Sequence, residues 1–209
     1  MSDPTPRRPG RQQERTERST NALLNAASEL IAEGGIDSLT FAAIGERAGY
    51  SRGLVTARFG NKDGLIEALI DRSVAQWGDR EAAVVSKGRS GLDSLLDLMA
   101  EVRSQAENEP AGLRVLYALM FEAGTDPLLR ERFAALHTSI RSDVEDVLEQ
   151  GKRDASIRRD VDAGREAVLL LGALRGFAYQ WQLDPEGFDL VDALGYLIEV
   201  TAERLRPAG

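Results

Sequence analysis

The amino-acid sequence predicts an all-α protein of about nine helices, with a three-helix N-terminal head and a C-terminal helical bundle as its body. Three observations lead to this prediction. Apolar residues recur every three or four positions along most of the chain. Ser, Thr, Asp, Pro and Gly stand where these segments begin and end. No stretch shows the alternation of apolar and polar residues that is typical of a strand.

Composition narrows the class of protein. The 209 residues include no cysteine and one histidine, which excludes disulfides, thiolate metal sites and clusters of histidine ligands. No apolar run reaches the ~18 residues that span a bilayer, and the N-terminus lacks the apolar core of a secretory signal. We therefore expect a cytoplasmic protein with no membrane partner, no cofactor and no metal.

Charge is distributed unevenly along the chain. Residues 1–62 carry nine Lys/Arg and seven Asp/Glu, a balance of +2, whereas residues 63–209 carry 17 and 27, a balance of −10. A mildly basic head is thus attached to an acidic body, although the total charge of −8 by itself argues against a nucleic-acid partner. We predict three parts: a disordered basic arm (1–12), a helix-turn-helix domain (13–62) and a ligand-binding and dimerisation domain (63–209).

The helices of the head follow from the residues at their ends. The first begins near Gln13 and ends at Gly34-Gly35, because glycine readily takes the left-handed conformation beyond a helix C-terminus. Ser38 or Thr40 caps a short second helix, 41–48. Gly49 ends that helix, and Ser51 caps a third that extends to about residue 58. A fourth runs from residue 62 to about 84.

The helices of the body are predicted in the same way. One contains the apolar residues of 92–102, and the next begins at Pro110, a typical first helical position for proline. Asp126-Pro127 begins a long amphipathic helix that ends near Gln150. A charged connector, 151–162, follows. The last two helices span 163–183 and 188–205.

The block 39–65 carries the clearest indication of function. It reads LTFAAIGERAGYSRGLVTARFGNKDGL, in which two short helices meet at a tight glycine turn and so form a helix-turn-helix. The third helix keeps a polar, partly basic face that includes Ser51, Arg52, Thr56 and Arg58. Such a helix fits the DNA major groove, where its first residues reach base edges. A plain helical hairpin within a bundle is the alternative interpretation of the spacing alone.

In this block and the helix before it, the chain resembles the tetracycline-repressor (TetR-type) family of transcriptional regulators. The matching positions are Leu23-Leu24-x-Ala26-Ala27, Leu30-Ile31-x-x-Gly34, Leu39-Thr40-x-x-x-Ile44, Ala48-Gly49-x-Ser51, Phe59 and Asn61-Lys62-x-x-Leu65. Beyond Leu65 the chain is similar only in size and number of helices. The resemblance implies an all-helical fold with a DNA-binding head and a larger ligand-binding and dimerisation body.

The resemblance also implies DNA contacts at particular residues. Thr40 and Lys62 would contact phosphates, and Arg58 would contact the DNA backbone near the end of the recognition helix. The residues that would face the groove are Ser51, Arg52, Gly53, Leu54 and Thr56.

Three positions depart from the family pattern. Thr56 stands where the family commonly has tyrosine, and Arg58 where it often has histidine. Gly45 replaces a usual alanine, at a cost of up to ~1 kcal/mol in helix propensity.

The last two predicted helices are strongly apolar. The sequence VLLLGALRGFAY at 168–179 is apolar on more than one face, so it must be buried on more than one side. In the resembled family the last two helices of each subunit form a four-helix dimer interface; the alternative is a core within one chain. The predicted interface comprises Leu169, Gly172, Ala173, Gly176, Leu190, Ala193, Leu194 and Leu197.

The middle helices are predicted to enclose an effector pocket. The candidate lining residues are Trp77, Arg114, Tyr117, Met120, Phe121 and His137. A mostly apolar pocket with few polar groups suits a mostly hydrophobic ligand, in which an anionic or hydrogen-bonding group would meet Arg114 or His137. Aromatic residues at this spacing are also typical of an ordinary helical core.

These observations predict a homodimeric repressor that binds a palindromic double-stranded DNA operator and is released by a small effector. The first alternative is a protein of TetR-type fold that binds a ligand but not DNA, for which Thr56 and the acidic balance are arguments. The second is an enzyme, which we do not expect because the sequence shows no catalytic constellation and no phosphate-binding glycine loop.

Overall fold

The computed structural model describes residues 10–85, 89–124 and 127–207. These residues form nine α-helices and a short 3₁₀ turn, with no strand among them, as the sequence predicts. The chain divides into two compact units, Met1–Leu69 and Ile70–Gly209, which we call the head and the body. Residues 1–9 of the predicted arm lie outside the described residues, and Arg11 and Gln12 belong to the first helix instead of the arm.

The head contains the first three helices and the beginning of the fourth. The elements are α1 (Arg11–Gly34), the 3₁₀ turn (Ile36–Ser38), α2 (Phe41–Ala48), α3 (Arg52–Phe59) and the start of α4 (Lys62–Val85). Helix α2 packs on both α1 and α3. Leu23, Ala27, Ile44, Val55 and Leu65 are fully buried, so each described helix of the head buries at least one apolar side chain.

Two hydroxyl groups at the junction of α1 and α2 have different roles. The Ser38 hydroxyl lies within hydrogen-bond distance of two carbonyl oxygens near the end of α1, that of Leu30 at 2.7 Å and that of Gly35 at 2.6 Å, and so bonds back to this end. The Thr40 hydroxyl accepts from the Ala43 N–H at 3.2 Å and caps α2. Of the two caps that the sequence allows, the structure thus selects Thr40.

The body contains five further helices. They are α5 (Gly91–Asn108), α6 (Pro110–Glu122), α7 (Pro127–Arg153), α8 (Ala163–Leu183) and α9 (Leu190–Leu205). Helix α5 packs on α6, α7 and α9, and α8 packs on α6, α7 and α9. Leu95, Leu148, Ile157 and Leu205 are almost completely buried at the centre of one core cluster. None of the helices in the described part of the chain is long and apolar enough to cross a membrane.

Helix α5 begins against the end of α7. A Cβ atom at Gly91 would stand 2.7 Å from the Val147 carbonyl oxygen, so only glycine fits there. The Gly91 N–H donates to Asp154 at 2.8 Å, and the Leu92 N–H donates to the Ser156 hydroxyl at 3.0 Å. Hydrogen bonds from Ser156 and Gly91 lower the pKa of Asp154. The segment after α7 therefore caps a helix that is distant in sequence.

Two predicted helix ends are corrected. Helix α7 continues to Arg153, beyond the predicted end near Gln150, because Gly151 is packed beneath Ile157 inside the last turn. Helix α9 begins at Leu190 and not at residue 188, since Asp189 caps it by accepting from the Asp192 N–H at 2.9 Å. Asp126, the predicted cap of α7, lies outside the described residues.

One ion pair joins α8 to α9. Glu166 is buried, and its carboxylate accepts two hydrogen bonds from the Arg204 guanidinium, one of them at 2.6 Å. Hydrogen bonding to Glu166 raises the pKa of Arg204. This pair fixes the register of α9 against α8 in the monomer.

Candidate nucleic-acid interface and ligand pocket

The turn between α2 and α3 is tight and closed by backbone hydrogen bonds. Gly49 has φ 73° and ψ 28°, a left-handed conformation that suits glycine. The Gly49 N–H donates to Glu46 at 3.2 Å, and the Tyr50 N–H donates to Gly45 at 2.8 Å. These are the hydrogen bonds of a helix that ends at a glycine. The turn therefore holds α3 at a fixed angle to α2.

Helix α3 presents most of its surface to solvent. The Ser51 hydroxyl caps it by accepting from the Leu54 N–H at 3.2 Å. Val55 is its one fully buried residue. Arg52, Gly53 and Thr56 are exposed, and Leu54 is half-buried. A capped helix with one anchoring side and a free polar side can enter a DNA groove.

The predicted phosphate contacts flank this helix in sequence. Thr40 is exposed at the start of α2, where the N–H groups of the first turn attract anions. Lys62 is exposed at the start of α4, and its ammonium group donates to the Ile36 carbonyl oxygen at 3.1 Å. Both residues carry a hydrogen-bond donor at the surface of the head.

Two residues of α3 have side chains that bond within the head. The Thr56 hydroxyl donates to the Arg52 carbonyl oxygen at 3.2 Å, one turn earlier. Arg58 is half-buried and donates from Nη2 to the Ser19 hydroxyl on α1 at 3.1 Å. The Nε of Arg58 is buried and has no hydrogen-bond partner in the described structure. Arg58, expected from the resemblance to contact DNA backbone, here connects α3 to α1.

An ion-pair cluster that the sequence analysis did not identify connects α1 to α2. Arg47 pairs with Glu33 at 2.8 Å and with Glu29 at 3.3 Å. The hydrogen bond to Glu33 is the main cause of a raised pKa for Arg47 and of a lowered pKa for Glu33. The cluster neutralises a basic residue of the helix-turn-helix, so Arg47 is not part of the candidate DNA contacts.

The body encloses an apolar cavity of about 90 Å³ between α5, α6, α7 and α8. Tyr117, Met120 and His137, three of the predicted pocket residues, line it. The other lining residues are Val102, Gln105, Leu113, Leu116, Leu136, Ile140, Leu171, Leu174 and Arg175.

The remaining predicted pocket residues lie elsewhere. The Arg114 guanidinium stacks over the Trp181 ring at 4.8 Å instead of lining the cavity. Phe121 is exposed and packs edge-on against Tyr179, with ring centroids 5.2 Å apart. The side chain of Trp77 lies outside the described part of the structure. Arg114 and Phe121, which were predicted to line the pocket, therefore do not line this cavity.

Two polar lining residues were missed by the sequence analysis. Gln105 on α5 and Arg175 on α8 both face the cavity. Arg175 was recognisable, because it is the one charged residue in the apolar run 167–179. Gln105 had no comparable sequence pattern, since it lies among the polar residues of RSQAENE.

Helix α8 leaves an apolar face uncovered, and α9 exposes one large aromatic side chain. Leu169 and Tyr179 of α8 are 55% and 47% exposed, and Tyr196 of α9 is 66% exposed. Gly172 and Gly176 lie open on α8, with no atom that a Cβ at either position would contact. Ala173, Ala193 and Leu197 are half-buried.

Leu190 and Leu194, by contrast, are 5% and 2% exposed, in a core cluster with Tyr117 and Trp181. The predicted interface is therefore corrected at these two residues, which belong to the core of the monomer.

The head and the body together have the architecture of DNA-binding transcriptional regulators that carry a ligand-binding body. Two family models match the chain. One, described as bacterial regulatory proteins of the tetR family, matches residues 23–69, and the other, the C-terminal region of BetI-type transcriptional repressors, matches residues 92–205. The chain belongs to the TetR family of transcriptional regulators.

Individual relatives are distant but extend over most of the chain. The regulator TtgR of Pseudomonas putida is 24% identical over 94% of this chain and 95% of its own length. BetI of Burkholderia cenocepacia is 24% identical over 74% of this chain and 81% of its own length.

Solved structures share the fold. SmeT, the repressor of a multidrug efflux pump in Stenotrophomonas maltophilia, superposes with a TM-score of 0.76 at 20% identity, over 93% of each chain. A regulator from Saccharomonospora viridis in complex with choline superposes with a TM-score of 0.82 at 17% identity, over 92% of this chain and 100% of its own.

Proposed function

We propose that this protein is a cytoplasmic homodimeric repressor that binds a palindromic operator and is released by a small effector in the cavity of the body. The observation that carries the proposal is that α3 is held firmly in the head and exposes its polar side to solvent. Ser51 caps it, Gly49 sets its angle, Val55 anchors it, and Arg52 is exposed at its first turn. Arginine at that place is suited to a bidentate contact with guanine.

The proposed dimer rests on the uncovered apolar face of α8. Large apolar groups such as Leu169 and Leu183 are exposed there in the monomer, and an apolar face of this kind is typical of an interaction site. A two-fold dimer would place the same face of each chain against its copy. It would also present two copies of α3 to half-sites related by the same symmetry, which is why we expect a palindrome.

The proposed release follows from binding linkage. A ligand that prefers one conformation of the body shifts the dimer towards that conformation. If the two heads of that conformation are spaced differently, operator affinity falls, and the operator in turn lowers ligand affinity by the same factor. An operator affinity that no cavity ligand changes would contradict this part of the proposal.

The test is a selection of bound sequences from random and genomic DNA with the purified protein, at two salt concentrations. We expect a palindrome with half-sites one or more helical turns apart. Recovery of no sequence, even at low salt, would favour the alternative of a ligand-binding protein without DNA binding. The observation that supports that alternative is the hydrogen bond by which Arg58 connects α3 to α1 instead of remaining free for DNA.

A further inference from the structure

The cavity of the body combines a group of polar side chains with an apolar extension. Gln105, Tyr117, His137 and Arg175 line the main cavity. A second cavity of about 20 Å³ is lined only by apolar side chains, among them Met99, and shares Val102, Leu171 and Leu174 with the first. The two spaces are therefore neighbours, one with polar groups and one without.

Two polar nitrogens of the main cavity have no hydrogen-bond partner in the described structure. They are Nε2 of Gln105 and Nε2 of His137, and both are buried. Enclosed polar atoms of this kind are unfavourable unless a partner is supplied. The amide carries hydrogen at this nitrogen, and the neutral imidazole does so in one of its two tautomers. A ligand with acceptor oxygens would give both nitrogens a hydrogen-bond partner.

The charge of the cavity lining is positive. Arg175 is half-buried, and no carboxylate of the described residues pairs with it. Burial is the main cause of a lowered pKa for Arg175, although guanidinium groups stay protonated at neutral pH. Burial, followed by the charges of Arg175 and Arg141, lowers the pKa of His137, so the imidazole is neutral at pH 7. Burial raises the pKa of Tyr117, which keeps its hydroxyl protonated.

We infer that the effector is a small amphipathic carboxylate, bound with its anionic group at Arg175, Gln105 and His137 and its apolar part beside Val102, Leu171 and Leu174. A carboxylate accepts two parallel hydrogen bonds from a guanidinium, and such charge-assisted bonds are the strongest that side chains make. The apolar part gains by burial among the aliphatic side chains. This inference rests on the proposed function, because it names the chemical class of the proposed effector.

The same chemistry disfavours a cationic ligand. Choline, which the Saccharomonospora viridis regulator holds in its structure, carries a fixed positive charge and no carboxylate. Arg175 would repel it, and no acidic side chain lines the described cavity. The inference therefore separates this chain from that structural neighbour by ligand charge.

Binding of matched compounds to the full chain tests the inference. The first set is octanoate, octanol and octyltrimethylammonium; the second is benzoate, benzyl alcohol and benzyltrimethylammonium. We expect the carboxylate of at least one set to bind about tenfold or more tightly than its alcohol by calorimetry, and the ammonium compounds not to bind. Equal affinity for the three head groups, preference for the cation, or no binding of any compound would overturn the inference.

Two variants assign the preference to the cavity. Arg175→Met should lose the preference for carboxylate over alcohol. Arg103→Met removes the same charge from an exposed position of α5 outside the cavity lining, and should keep the preference. Without ligand, Arg175→Met should melt no lower than the native chain, because it removes a half-buried charge that has no carboxylate partner. Lower melting with an unchanged preference would show that Arg175 is structural only.

Failure of the inference and failure of the proposed function give different results. If the protein selects a palindrome and only neutral or cationic compounds release it from DNA, the proposed function is supported and the carboxylate inference is wrong. If carboxylates bind through Arg175 but no operator is recovered, the inferred ligand class is supported and the proposed repressor function is wrong.

Discussion

Gly45 of α2 lies so close to the following turn that a Cβ atom at position 45 would stand 2.8 Å from the carbonyl oxygen of Tyr50. It would also lie 3.1 Å from the Arg52 N–H nitrogen. From the sequence alone, this glycine is only a departure from the family pattern with a cost in helix propensity. The structure gives the reason for it: here the backbone of α2 and the backbone of the turn meet without a side chain between them.

Gly45→Ala should therefore destabilise the head. The extra methyl group meets backbone atoms that cannot rotate away, at a cost of about 1–3 kcal/mol, against a gain of up to ~1 kcal/mol in helix propensity. Gly53→Ala is the matched control, since its Cβ would meet only the Ser51 hydroxyl at 3.7 Å. Hydrogen exchange of residues 41–58 measures both variants. Unchanged protection in Gly45→Ala would contradict the close packing.

The two candidate types of DNA contact should respond differently to substitution. Arg52→Ala should reduce discrimination at one base pair of each half-site by about 1–3 kcal/mol. Lys62→Ala should weaken specific and non-specific DNA alike and reduce the slope of log affinity against log salt by about 1. Titration of operator and random duplexes at several salt concentrations separates the effects. Equal losses in both variants with no change of selectivity would refute the assignment.

Leu169→Lys should convert the proposed dimer to a monomer. Each of two copies of Leu169 would lose about 1.5–3 kcal/mol of burial, so we expect the dimer dissociation constant to rise about 100-fold or more. Val74→Lys is the control, because Val74 is also an exposed apolar residue but lies on α4. Light scattering over a dilution series gives the mass. A dimer that resists Leu169→Lys would exclude this face as its interface.

Loss of Arg204 should be more costly than loss of a surface arginine. Arg204→Met leaves the buried Glu166 carboxylate without its partner, which we expect to cost about 1–3 kcal/mol. Arg165→Met is the control, because Arg165 is 90% exposed and pairs with Asp162 at 3.4 Å. Its effect should be within about 0.5 kcal/mol. Urea unfolding measures the free energy of unfolding of both variants. Equal losses of stability in the two would contradict a special role for the pair of Arg204 with Glu166.

Acid should destabilise the body through His137, the single histidine of the chain. Burial, then Arg175 and Arg141, lowers the folded-state pKa of His137, whereas the unfolded imidazole titrates near pH 6.5. The unfolded state thus binds the proton first, so stability falls as pH drops through about 6.5. Melting at pH values from about 7.5 to about 5.5 should show a smaller loss in His137→Gln than in the native chain.

The helix-turn-helix was predictable because its determinants are local. Gly49 must be left-handed at the turn, Ser51 must cap α3, and Val55 must be apolar, and each requirement is met by a residue within a few positions of its partner. The same holds for the number of helices and for most of their ends. Local hydrogen bonds and apolar spacing decide these features, so they can be predicted without knowledge of long-range contacts.

The identity of the cavity residues depends on contacts between distant segments. Periodicity places Arg114, Tyr117 and Phe121 on one face of α6, but it does not say which neighbour each residue meets. In the structure Arg114 meets Trp181 and Phe121 meets Tyr179, which leaves Tyr117 for the cavity. Arg175 and Gln105 join it from other helices.

The uncovered face of α8 was likewise undecided, because an apolar run looks the same in a core and in an interface. By itself, the sequence determined an all-helical chain with a helix-turn-helix near its N-terminus, through interactions between near neighbours. Only the tertiary structure decided that Leu190 and Leu194 face inward while Leu169 faces outward. It also brought Arg175, which pairs with no carboxylate of the described residues, into the cavity, since the crossing of four helices sets which side chains share a buried space.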